Sequence, residues 1–129
     1  MTVWPPTTID AYAPPLDSNP APQAVYIHVP FCIHRCGYCD FTLIARRDDL
    51  IPAYLAALRN ELATLRSVYD VQSIFIGGGT PTYLSCEHLQ ELMSLVAEPF
   101  RPTANAEITM EANPDGLDET DWRCCRRWV

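Results

Sequence analysis

Lysine is absent from this 129-residue chain, and nine arginines and three histidines supply all of its side-chain cations. Sixteen Asp and Glu outnumber the arginines, for a formal net charge of −7. A chain this acidic is a poor match for a polyanion, so neither nucleic acid nor an anionic membrane surface is expected as its main partner. Long apolar runs are also missing. No stretch approaches the roughly 20 residues of a membrane-spanning helix, so no integral membrane segment is expected. Residues 1–6 hold neither a basic nor an apolar stretch, so no signal peptide is expected and the cytoplasm is the expected location. Glycine is scarce, and three of the five stand together as Gly77-Gly78-Gly79. Apolar residues make up 48 %, the ordinary share of a globular protein, which argues against disorder throughout.

The two ends differ from the middle. Residues 1–23 hold six of the twelve prolines. Proline fixes φ and removes a donor, so a loose, partly polyproline-like tail is expected there. The last eight residues, 122–129, add three arginines to a preceding stretch that carries six arginines and sixteen acids, or −10. They also hold Cys124, Cys125, Trp122 and Trp128. So sharp a break reads as an aberrant tail behind a working region of residues 24–121.

Within that region strands and helices alternate. Residues 24–29, AVYIHV, are β-branched and aromatic and stop at Pro30, as a strand would. Asp48 or Asp49 would cap a helix to about Val68, with Leu50, Tyr54, Leu55, Leu58, Leu62 and Leu65 on one face. Residues 73–76 read as a second strand. Ser85 would cap a second helix to about Ala97, with Leu89, Leu92, Met93 and Val96 inward. Residues 107–111 read as a third strand, and Asp118 as the start of a third helix. Apolar strands alternating with helices imply an α/β fold with a parallel sheet. Three such units do not close a barrel, which takes eight.

Cys32, Cys36 and Cys39 stand in a C-x3-C-x2-C array. With no secretory signal, a disulfide framework explains it poorly. Three thiolates this close can converge on one inorganic centre. An iron–sulfur cluster is favoured, because three cysteines on four irons leave one iron open for chemistry. Zinc bound with His34 as fourth ligand, and plain reduced thiols, are the alternatives. The glycine run ends its strand, where parallel sheets bind ligands and where glycine lets the backbone approach them closely. It lacks the lysine of a phosphate loop, and Glu111, expected at the same edge, favours a cationic group such as an ammonium. Cys86 reads as an isolated thiol, His88 as solvated, His28 as packed or site-facing, and Arg46-Arg47-Asp48-Asp49 as a self-compensating surface turn.

Four segments taken in order resemble the radical S-adenosylmethionine (SAM) proteins, and within them the oxygen-independent coproporphyrinogen III oxidase group. These are Tyr26-Ile27-His28-Val29-Pro30-Phe31-Cys32, the three-cysteine loop through Asp40-Phe41, Ile76-Gly77-Gly78-Gly79-Thr80-Pro81-Thr82, and Glu107-Ile108-Thr109-Met110-Glu111-Ala112-Asn113-Pro114. The resemblance implies the first three βα units of a partial (β/α) barrel. It implies a [4Fe–4S] cluster on Cys32, Cys36 and Cys39, with SAM on the open iron. Gly77, Gly78, Gly79 and Thr80 would line the methionine part of SAM. Tyr38 would lie against the adenine, Tyr26 would face the site, and Glu111 would accept hydrogen bonds from SAM. Reduction would then yield a 5′-deoxyadenosyl radical, the electron coming from a donor protein. The oxidases of the group carry another cysteine where this chain has Phe41. The sequence Cys39-Asp40-Phe41 is similar instead to the HemW-type heme chaperones, so heme or porphyrin is the implied partner, heme being bound in a C-terminal part. No residue of this chain is expected to be catalytic in its own right. A metal-binding fragment without radical chemistry is the alternative function.

Overall fold

The computed structural model describes residues 21–115 and 117–126, with only the backbone of residues 120–122. The proline-rich stretch over residues 1–20 lies outside the described residues. Strand β1 (Ala24–Val29) alternates: Val25, Ile27 and Val29 are buried, while Tyr26 is exposed and His28 half-buried. It pairs in parallel with β4 (Tyr69–Gly78), from Ala24 opposite Ser73 to Val29 opposite Gly78. Strand β4 pairs in parallel with β5 (Phe100–Met110), giving the order β1-β4-β5. The expected parallel α/β architecture is therefore present. Two short strands, β2 (Phe31–Cys32) and β3 (Ile44–Ala45), form a separate parallel pair that closes the cysteine loop at its base.

Helices α1 (Ile51–Leu62) and α2 (Cys86–Ala97) cover one face of the sheet. Leu89, Leu92, Met93, Leu95 and Val96 of α2 are buried with Ile27, Val29, Val71, Ile74 and Ile76 of the strands. Ile51 and Leu55 of α1 join them, and Phe31 meets the Tyr54 ring edge-on at 5.5 Å. On the uncovered face the register places Tyr26, Phe75 and Thr109 in one row and His28, Gly77 and Glu111 in the next towards the carboxyl edge, with Glu111 one residue past the end of β5. Tyr26 and Phe75 stack there with centroids 5.6 Å apart.

Some boundaries differ from expectation. The first helix ends at Leu62 instead of about Val68. Hydrogen bonds from Thr64 N–H to Glu61 O and Leu65 N–H to Leu62 O tighten its last turn, and the Thr64 hydroxyl also bonds Glu61 O at 2.7 Å. No aspartate caps it. Residues 48–50 form a 3₁₀ turn in which the Asp48 carboxylate accepts from the Tyr83 hydroxyl and Asp49 pairs with Arg47 at 2.8 Å. Pro52 occupies the first turn of α1, where its missing N–H costs nothing. Ser85 does cap α2, accepting from His88 N–H at 3.3 Å. Strands β4 and β5 run further back than their apolar stretches, through the Asp70–Arg101 ion pair at 2.6 Å and the Tyr69–Phe100 contact. The third helix, α3 (Glu119–Cys125), begins one residue after Asp118. Cys86, read as an isolated thiol, is instead joined to Cys124 by a disulfide whose Cα atoms lie 5.9 Å apart. Packing of α3 on α2 brings them together, and both Cys124 and Cys125 are buried in the common core.

Candidate functional site

The strands are parallel, so β1 and β4 end at the same edge, and β2 continues from β1 there. Backbone hydrogen bonds lock the glycine run to that edge: Gly79 N–H to Val29 O at 2.7 Å and Thr80 N–H to Phe31 O at 2.8 Å. The packing shows what a side chain at each position of the run would meet. A Cβ on Gly79 would stand 2.6 Å from Phe31 O and 2.9 Å from Cys32 Sγ. Gly78 has φ +111° and lies against the His28 ring. A Cβ on Gly77 would meet Phe75 Cε1 at 2.7 Å and Glu111 Oε2 at 2.9 Å. That carboxylate oxygen accepts from Gly78 N–H at 2.9 Å, while Glu111 N–H donates to Ile76 O.

A cavity of about 610 Å³ opens over this edge. Cys32, Cys36 and Cys39 line it together with Tyr38, Gly78, Gly79, Thr80 and Glu111. Two of the expected site residues stand apart from it. Gly77 lies buried beneath Glu111, and Tyr26 sits one row down the sheet. Tyr26 reaches the site through His28. The ring Nε2 lies 2.8 Å from the Thr42 carbonyl, which only accepts, so Nε2–H donates there, and Nδ1 lies 3.0 Å from the Tyr26 hydroxyl. His28 thus ties the cysteine loop to β1, a connection invisible in the spacing of the cysteines. Asn113 and Pro114 also line the cavity, and Asn113 N–H donates to the Thr82 hydroxyl at 3.4 Å. The resemblance contained these two residues without assigning them a part.

The three thiols differ in surroundings. Cys32 is buried, with Sγ 3.6 Å from the Thr80 hydroxyl. Cys36 and Cys39 are half-exposed across a turn closed by Cys39 N–H to Cys36 O, and Cys36 Sγ lies 3.5 Å from His34 Nε2. The phenol of Tyr38 is held above its ordinary pKa by the negative charge of Cys36 and the hydrogen bond between them. Among the described residues no three His, Cys, Asp or Glu side chains are gathered closely enough to hold one metal ion. A single zinc would need its sulfurs about 2.3 Å from one point. The soft donor set fits a thiolate-bound group.

A cysteine-lined cavity at the carboxyl edge of a parallel sheet, walled by a glycine run, defines the class. A profile of the Radical SAM superfamily matches residues 26–127, and the chain belongs to that superfamily. Within it, the chain is 41 % identical over 99 residues to the heme chaperone HemW of Bacillus subtilis, covering 74 % of this chain and 26 % of the relative. It is 43 % identical over 105 residues to the Escherichia coli heme chaperone HemW, covering 78 % and 27 %. It is 44 % identical over 102 residues to an oxygen-independent coproporphyrinogen III oxidase of Bradyrhizobium diazoefficiens, covering 75 % and 23 %. The solved coproporphyrinogen III oxidase HemN of Escherichia coli, described as a radical SAM enzyme, superposes with a TM-score of 0.74 at 34 % identity, over 83 % of this chain and 26 % of that one. The chain spans about a quarter of the length of these relatives. Among the described residues no helix is long and apolar enough to cross a membrane.

Proposed function

We propose that this chain is the cluster- and SAM-binding portion of a radical SAM protein of the HemW type, a heme chaperone. The observation that carries the reading is the single cavity shared by Cys32, Cys36, Cys39, Gly78, Gly79, Thr80 and Glu111. In this reading Cys32, Cys36 and Cys39 hold a [4Fe–4S] cluster, which when bound supplies the single electron for cleaving the SAM sulfonium. The Thr80 hydroxyl, beside Cys32 Sγ, stabilises that thiolate as an outer hydrogen-bond partner. Gly78 and Gly79 line the cavity where the methionine part of SAM would lie, and Gly77 makes space for Glu111. Gly78 N–H fixes the Glu111 carboxylate, whose charge suits the methionine ammonium. Tyr38, exposed at the rim, offers a ring for the adenine, and Tyr26 steadies His28 beneath the loop.

Phe41 lines the cavity in the stretch where the oxidases of the group carry a further cysteine, which favours the chaperone over the oxidase. Heme or porphyrin is then a cargo for which the remaining three quarters of a full-length relative would supply the site, and a donor protein supplies electrons. All assigned groups lie within residues 24–121. The test is titration of SAM into the anaerobically reconstituted chain, followed by the electron-spin resonance of the reduced cluster. A saturable change in that signal, lost in Gly78→Val, is expected. An unchanged signal in the native chain, or the same affinity in Gly78→Val, contradicts the SAM site.

A further inference from the structure

The cysteine loop, residues 33–43, leaves β2 and returns through β3, and one residue just past β3 grips its start. Arg46 is the only non-glycine residue with positive φ among those described, at 54°. That left-handed backbone is sterically unfavourable for a residue with a Cβ, and it persists only where surrounding contacts over-determine it. The contacts are two hydrogen bonds onto consecutive carbonyls. Arg46 N–H donates to Cys32 O at 3.1 Å, and Arg46 Nε–H donates to Ile33 O at 3.1 Å. The neighbouring charges are engaged elsewhere. Arg47 takes Asp49, and the Asp48 carboxylate accepts from Tyr83. The Arg-Arg-Asp-Asp stretch thus compensates its own charge only through Arg47 and Asp49, while Arg46 turns to the loop and Asp48 to Tyr83.

We propose that Arg46 is a positioning residue: its left-handed turn and its guanidinium clamp the main chain of Cys32 and Ile33, and so set where Cys36 and Cys39 fall relative to Cys32. The proposal rests on the reading of these three cysteines as ligands. The β2–β3 pair alone fixes the base of the loop, through Ile44 N–H to Pro30 O. The Arg46 side chain extends that hold one residue further, into the loop itself. The effect is geometric, and no titration is involved.

Three variants of the full chain separate this role from general stability. Arg46→Gly keeps the backbone turn without strain and loses the guanidinium. Arg46→Lys keeps a donor for a single carbonyl. Arg47→Ala removes only the pair with Asp49. In the reduced, metal-free chain, amide exchange over residues 33–43 and alkylation of Cys32, resolved by mass spectrometry, should be about five-fold faster in Arg46→Gly, the ratio set by about 1 kcal/mol of hydrogen-bond free energy. Arg46→Lys should recover most of that difference, Arg47→Ala should match the native chain, and the urea midpoint of Arg46→Gly should be unchanged. After iron loading, Arg46→Gly should lose iron to a chelator several-fold faster. Exchange and alkylation within two-fold of native in Arg46→Gly, or equal changes in Arg47→Ala, would overturn the clamp. Failure of the native chain to hold iron would overturn the ligand reading instead, and the metal-free arms would still decide the clamp.

Discussion

Replacing Gly79 by alanine is the sharpest mechanical test of how the site is built. The new methyl carbon would lie 2.6 Å from Phe31 O and 3.0 Å from Pro30 C, both backbone atoms, and 2.9 Å from Cys32 Sγ. Relief requires Gly79 and Thr80 to move away from β1 and β2. Such a movement stretches the two backbone hydrogen bonds that hold them, Gly79 N–H to Val29 O and Thr80 N–H to Phe31 O. Overpacking of this kind costs about 1–3 kcal/mol. Weakening the two hydrogen bonds adds roughly 1 kcal/mol each at most, so Gly79→Ala should destabilise the chain by about 2–4 kcal/mol. The other glycines grade the effect. At Gly77 the clashing atoms are the far ends of Phe75 and Glu111, which can swing aside. Gly77→Ala should therefore cost little stability but displace the Glu111 carboxylate. Gly37 has nothing within 4 Å, and Gly37→Ala should be within about 0.5 kcal/mol of native. Urea denaturation of the reduced chains reads stability, and alkylation of Cys32 reads the site. Gly79→Ala as stable as Gly37→Ala, with Cys32 equally protected, would refute the account of the glycine wall.

Two further perturbations probe the frame. Burial, reinforced by the charges of Glu61 and Tyr26, pushes the Tyr54 hydroxyl up to about 12, and that hydroxyl donates to His28 O at 2.8 Å. A raised folded-state value contributes stability in full below the unfolded value of about 10, and that contribution fades as pH climbs to 12. Allowing for partial solvent screening, the loss is about 1–2 kcal/mol. Urea midpoints between pH 9 and 12 should fall more steeply for the native chain than for Tyr54→Phe, and parallel curves would contradict the shift. The Cys86–Cys124 bridge closes a loop with a sequence separation of 38, worth about 4 kcal/mol in the chain-entropy view. Cys86→Ser should lower the unfolding free energy by up to that amount, and a reductant should lower the urea midpoint of the native chain alone. Equal midpoints without reductant would show that the bridge does not form in solution.

Much of this was legible because local chemistry and tertiary structure agree. Strand β1 runs from Ala24 to Val29 as its alternation and Pro30 require, and Ser85 caps α2 as its hydroxyl allows. The cysteine array and the glycine run were readable as one site, because parallel strands bring their carboxyl ends together. What stayed hidden depends on contacts distant in sequence. Asp48 gives up capping because Tyr83 reaches it from beyond β4. Strands β4 and β5 lengthen through polar and proline-bearing stretches that pair only because their neighbours do. Cys86 finds Cys124 only when α3 lies on α2. His28 and Arg46 act on the loop through carbonyls of Thr42, Cys32 and Ile33, and carbonyls leave no mark in a sequence.

The central claim is that Cys32, Cys36 and Cys39 together hold an iron–sulfur cluster. Its direct test is anaerobic reconstitution of the chain and its single Cys→Ser variants, followed by counting of iron, sulfide and zinc. The account predicts about four irons and four sulfides per native chain. Cys32→Ser, Cys36→Ser and Cys39→Ser should each lose most of both, and Cys86→Ser should keep them. Full iron and sulfide in Cys36→Ser, or one zinc and no sulfide in the native chain, would contradict it.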